Sequence, residues 1–170
     1  LGLWSRLFSK KKDAPEVEER TLLNIQVGDM ITYELEDYEV VGKMTLNDHG
    51  FQWFEYQLEV PGEKSLWLSV EMDDELEIAV YKKIKHPVSE PIPKTLTVDE
   101  VSYTLDEKGM AEVSGQGRSS QLSGQTVTYY DFSNEAEDQL VAIEVWNGEI
   151  EVSQGHTAQD YEFQIIAGSR

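Results

Sequence analysis

The chain has 170 residues, 39% of them hydrophobic and none of them cysteine. That is enough for the core of one domain or two small ones, and it excludes disulfides, a catalytic thiol and cysteine-based metal centres. There are 33 acidic against 14 basic residues, a net charge of −19, so most of the chain would repel a phosphate backbone and no nucleic acid is expected as partner.

The basic residues are unevenly placed. Arg6, Lys10, Lys11 and Lys12 lie in the first twelve positions, and no acid precedes Asp13. Leu1, Trp4, Leu7 and Phe8 recur at helical spacing, with Leu3 on their flank. The pattern predicts a short amphipathic, basic helix over residues 1–12. Leu3, Trp4, Leu7, Phe8, Lys10, Lys11 and Lys12 are its docking residues, for a membrane face or a protein partner. The same layout suits docking on the chain's own body or on a sister subunit, as in a homo-oligomer. The charges follow the apolar stretch and no small-residue cleavage site appears, so a cleaved signal peptide is not expected. Residues 13–20, "DAPEVEER", read as a charged linker.

From Thr21 the pattern changes to the alternation of strands. "MITYEL" (30–35) is a strand, Glu36 and Asp37 a turn, and "YEVVGKM" (38–44) pairs back. "NDHG" (47–50) is a hairpin turn. "FQWFEYQLEV" (51–60), "SLWLSVEM" (65–72) and "ELEIAVYKKI" (75–84) complete five strands. "HPVSEPIPK" (86–94) is a proline-rich linker. The order then recurs. "KTLTV", a turn at Asp99 and Glu100, "VSYTL", "GMAEVSG", a polar loop over 116–125, "TVTYYDFS", "QLVAIEVW" and "EIEVSQG" follow, and "DYEFQII" (160–166) closes the set.

"LSVE" and "ELEI" fall on "IEVW" and "EIEV", with "MDD" and "NG" as the turns between. The expected fold is therefore all-β, with two pseudo-repeated antiparallel five-stranded meander units after the helix. The units span 21–85 and 95–166. They are expected to be curled sheets or small open barrels packed through their aromatic faces.

Catalytic motifs are absent: no nucleophile elbow, phosphate loop, dinucleotide fingerprint or H-E-x-x-H occurs. No catalytic residue, metal ligand or cofactor is assigned. His49, His86 and His156 lie far apart, each by a turn or linker, and read as solvated loop residues. In "WLSVEMDDELEI" (67–78), Glu71, Glu75 and Glu77 read as the outer, water-facing row of a hairpin. The aromatics suggest more. Trp53, Tyr56, Trp67, Tyr130 and Trp146 beside carboxylates form a candidate ligand face for cations such as polyamines or basic segments. The alternative is that these rings fill the space between the two units.

"VGDMITYELEDYEVVGKM", "WLSVEMDDELEI" and "IEVWNGEIEV" together resemble the bacterial family known as domain of unknown function 4178, over roughly residues 25–166. No activity or catalytic residue can be carried over from it. Members tend to be encoded near phage-shock-type membrane-stress proteins, small membrane proteins and polyamine-synthesis enzymes. The resemblance thus implies a cytoplasmic accessory role near the membrane. The leading expectation is a non-enzymatic cytoplasmic binding or adaptor protein with a protein partner, touching the inner membrane face peripherally through residues 1–12. The alternatives are a binding protein for a small cationic metabolite and an enzyme of unknown type.

Overall fold

The structure, a computed structural model, describes residues 18–63 and 65–168; the helix expected over 1–12 lies outside them. The described chain is built of strands: β1 (Met30–Tyr33), β2 (Glu36–Asp48), β3 (Phe51–Glu59), β4 (Leu66–Met72), β5 (Leu76–Ile84), β6 (Thr95–Val98), β7 (Val101–Gly117), β8 (Thr126–Ser133), β9 (Gln139–Trp146), β10 (Glu149–Ala158) and β11 (Phe163–Ile166). All pairings are antiparallel.

Eight of these strands close on themselves in the order β2-β3-β4-β5-β10-β9-β8-β7, and β7 pairs back to β2. The expected division into two repeated, separately packed units is not what the chain forms: β5–β10 and β2–β7 join the strands into one barrel wall, and β11, expected in the second unit, pairs with β1 of the first. The stagger is large. Paired positions lead from Gly117 through Gly42, Gln57, Trp67, Tyr81, Gly155, Leu140 and Ser133 back to β7 at Thr104, thirteen residues short of the start. Stagger sets strand tilt and barrel width, so this wall encloses more space than its strand number alone would give.

β2 and β7 each serve two sheets. A bulge between Val40 and Gly42 divides β2. Its first part pairs with β1, which pairs with β11, and its second part pairs with β7. A bulge between Leu105 and Glu107 divides β7, whose first part pairs with β6. Bulges bend a strand, and here the first parts keep their pairing with β3 and β8 but turn away from the β2–β7 seam, carrying β1 and β6 over the outside of the wall. Ile31, Tyr33 and Val40 thereby join Tyr56, Leu58, Leu68, Val70 and Val80 in one core. Leu96, Val98 and Tyr103 join Phe132, Val141, Ile143 and Val152 in another. The apolar rows of the wall thus face outward, into these two covered cores.

Asp29, of the Val27-Gly28-Asp29 motif, fastens the first cover. Its carboxylate accepts hydrogen bonds from Gln26 N (2.8 Å), Arg20 Nε (2.9 Å) and Gly168 N (2.8 Å) and is 2% exposed. Below the cover, Lys43 donates to the Ile25 carbonyl at 3.0 Å and sits over the Phe54 and Tyr56 rings. The β1–β2 turn is Glu34–Leu35, not Glu36–Asp37. Both turn residues have positive φ, as the tight hairpin turn matching strand twist requires.

The outer cores carry the stability. Phe132 is 1% exposed, and Phe132→Ala is expected to cost about 3–5 kcal/mol. Urea unfolding checks this, and a loss under about 1 kcal/mol would contradict the assignment of that core.

Candidate functional site

Because the apolar rows face outward, the other row of every strand faces the lumen. β3 contributes Trp53, Glu55 and Gln57; β4 contributes Trp67, Ser69 and Glu71; β5 contributes Glu77, Ala79, Tyr81 and Lys83. β10 adds Glu151 and Ser153, β9 adds Ala142, Glu144 and Trp146, and β8 adds Tyr129 and Asp131. Where β2 meets β7, Met44, Leu46, Trp53, Ala111, Val113, Val127, Tyr129 and Trp146 pack into an apolar floor, with Leu122 of the 118–125 loop against it. The remaining cavity is about 1340 Å³. That is more than a drug-sized molecule needs.

Two lumen tyrosines are placed by glycines. Gly155 stands opposite Tyr81, and Gly109 opposite Tyr129. A Cβ at either glycine would collide with the facing ring, so the missing side chain lets each ring lie against the neighbouring backbone. Tyr129 Oη then donates to Asp48 Oδ2 at 2.6 Å and stands edge-on to Trp53, with ring centroids 5.2 Å apart. Burial and the Asp48 carboxylate raise the Tyr129 phenol above its ordinary range, so it is held as a hydrogen-bond donor.

The cavity is strongly acidic. Eleven carboxylate residues line it, against Lys83 and Arg118, and Arg118 is already paired with Glu59. Burial, and then Asp131, push Glu55 up to about 7. Burial, and then Glu77 and Glu107, do the same to Glu71, about 7. Asp131 reaches about 7 through burial, then Glu107 and Glu144. Glu144 is raised well above the carboxylate range by burial and then by Glu55, and its Oε2 is shielded from solvent without a hydrogen-bond partner. These groups border a cavity large enough to hold water, but its walls are protein on most sides. Their charged forms are therefore poorly solvated and repel one another.

The expected ligand face divides. Trp53, Trp67 and Trp146 line the lumen. Tyr56 and Tyr130 lie on the other side of the wall, in the outer cores, and Tyr56 Oη donates to the Leu22 carbonyl at 3.0 Å. Of the row expected to face water, Glu75 and Glu77 are exposed, whereas Glu71 is half-buried; Glu71 and Glu77 stand opposite one another, and all three line the cavity. Glu55, Asp131 and Glu144 were not singled out from sequence. The available signal was a carboxylate at the polar position of strands otherwise apolar, as in "YYDFS" and "AIEVW". His49 sits in the β2–β3 turn beside Asp48 (2.5 Å), and His156 hydrogen-bonds Tyr33 Oη at 2.8 Å outside the lumen. Among the described residues, no group of three His, Asp or Glu is arranged to hold a metal ion. None of their helices is long and apolar enough to cross a membrane.

Fold and site define a closed eight-stranded barrel with external covers and an acidic, tryptophan-lined lumen. The family described as Domain of unknown function (DUF4178) matches residues 26–160, and the chain belongs to it. Uncharacterized proteins of Mycobacterium bovis and of two Mycobacterium tuberculosis strains are each 30% identical over 115 residues. The aligned stretch covers 65% of this chain and 55% of each relative, so the chain spans about half the length of the curated relatives it matches. No solved structure matches it.

The raised carboxyls fix a pH dependence. In the unfolded chain they ionise from about 3.8 (Asp131) or 4.5 (Glu55 and Glu71), whereas the fold holds them neutral until about 7. Their contribution to stability is full below the unfolded value and is lost as pH rises through the folded one. The melting temperature should therefore fall between pH 5.5 and pH 8. Glu144→Gln and Asp131→Asn should each flatten that slope, and slopes unchanged from the parent would show that these groups are not held neutral.

Proposed function

We propose that the chain is a non-enzymatic binding protein whose lumen holds a small organic cation. The observation that carries this reading is the charge imbalance of a partly open cavity with indole walls. Eleven carboxylates face Lys83 and Arg118, and Trp53, Trp67 and Trp146 offer ring faces. An ammonium or guanidinium group gains from both. Carboxylates in a partly dry space attract it more strongly than in water, and an indole face adds roughly 0.5–2 kcal/mol. An anion would meet net repulsion. A linear polyamine suits the several carboxylates spread along the lining, and the gene surroundings implied by the family resemblance point the same way.

Calorimetric titration with spermidine at physiological salt should give a saturable heat. Glu144→Gln and Trp67→Leu should each weaken it about tenfold, a loss of about 1.4 kcal/mol. No saturable heat with the parent protein would remove the reading.

The sequence of residues 1–12 supports a second element, a docking tail. Trp4, Leu7 and Phe8 would enter an apolar surface, and Lys10, Lys11 and Lys12 would meet an anionic one. This would place the acidic barrel at the cytoplasmic membrane face or on a protein partner. Flotation with anionic vesicles should retain the full chain and lose a form lacking residues 1–12; equal binding by both would exclude the membrane role.

A further inference from the structure

The lumen already contains one ammonium group. Lys83 Nζ lies 3.1 Å from Glu151 Oε2 and 5.0 Å from the centroid of the Trp67 ring. Strand register builds this box: Lys83 faces Ser153, two residues from Glu151, and Trp67 faces Tyr81, two residues from Lys83. The Lys83 side chain is 49% exposed, so an ion pair and a ring face hold its head while little packing holds its stem. Next to the box, Glu144 stands directly opposite Glu151, and its shielded Oε2 lacks any partner. An occupied cation position therefore adjoins a carboxyl oxygen without a hydrogen-bond partner.

We infer that the Trp67–Glu151 box is a subsite for a primary ammonium group of the ligand, and that Lys83 fills it as an internal competitor which the ligand displaces. The inference rests on the cation-binding reading of the lumen and names the ligand class more closely. A monoamine that replaces Lys83 exchanges one ammonium for another and gains little. A second charge a few methylenes away reaches Glu144, whose Oε2 has no hydrogen-bond partner. The site thus selects linear molecules with two or more ammonium groups. Lys83 also supplies the discrimination, because without it a single ammonium would suffice.

The test compares the parent with Lys83→Met, which keeps an unbranched stem and removes the charge. Lys82→Met serves as a charge control, since Lys82 is exposed on the outer face of the same strand. The calorimetric probes are 1,4-diaminobutane and butylamine. Lys83→Met should bind the diamine at least tenfold tighter than the parent and should acquire measurable butylamine binding. Lys82→Met should stay within twofold of the parent. Lys83→Gln provides a second neutral variant and should behave like Lys83→Met. Equal or weaker diamine binding by both Lys83 variants would overturn the inference while leaving the lumen reading intact. An equal gain in Lys82→Met would also overturn it, by showing a general charge effect. Absence of binding in the parent and in every variant would instead remove the lumen reading, and this inference with it.

Discussion

Closure of the wall is the constraint on which everything else depends. Once β7 pairs with β2 and β10 with β5, each wall strand has one row of side chains directed into an enclosed space. The other row is directed outward and is too apolar to be left in water. Turning the first parts of β2 and β7 away from their seam solves that problem, because it carries β1 and β6 over the outside. A fully buried Val, Leu or Ile gains about 1.5–3 kcal/mol over exposure, and Leu58, Leu68, Val70, Val141 and Ile143 are all essentially inaccessible. The driving force for folding therefore lies outside the lumen. Closure also removes the wall's edges. The edges that remain belong to the covers, where β6 and β11 have four residues each.

This division separates stability from binding. The bulges at Val40 and Leu105 let one strand serve both purposes, and the Asp29 carboxylate ties three backbone or side-chain donors into the first cover without touching the cavity. The apolar floor around Met44, Leu46 and Val127 completes the enclosure at one end. The remaining inward positions are released from the demand to be apolar. Glu55, Asp131, Glu144 and Lys83 occupy positions that would be filled with aliphatic side chains in a tightly packed eight-stranded barrel.

The strands were legible in the sequence because alternation is a local property. β8 and β9 are found at the residues where the alternation places them. Closure was not legible, since the pairing of β2 with β7 joins segments far apart and leaves no local mark. The Glu34–Leu35 turn was missed because Leu35 continues the apolar alternation, although in the hairpin it is fully exposed at positive φ. The five rings expected on one face divide between the two sides of the wall, and parity explains the division. Trp53 and Tyr56 are three residues apart on one strand and must face opposite ways. Tyr130 pairs with Ile143, whereas Trp146 shares its row with Glu144. The water-facing reading of Glu71 failed for a related reason: alternation identifies two rows but does not say which of them the fold encloses.

Enclosing so many carboxyl groups would be costly if all were ionised. Desolvation and mutual repulsion raise Glu55, Glu71 and Asp131 to about 7 and Glu144 well above its ordinary value, so near neutrality the empty lumen is partly protonated. A cation that enters reverses both causes. It supplies an opposite charge at close range and relieves the repulsion among neighbours, so protons leave as it binds. The empty barrel is thus spared the full desolvation penalty, and the loaded barrel gains the full attraction. On the proposed reading, an ammonium group entering the lumen would compete with these protons as well as with Lys83.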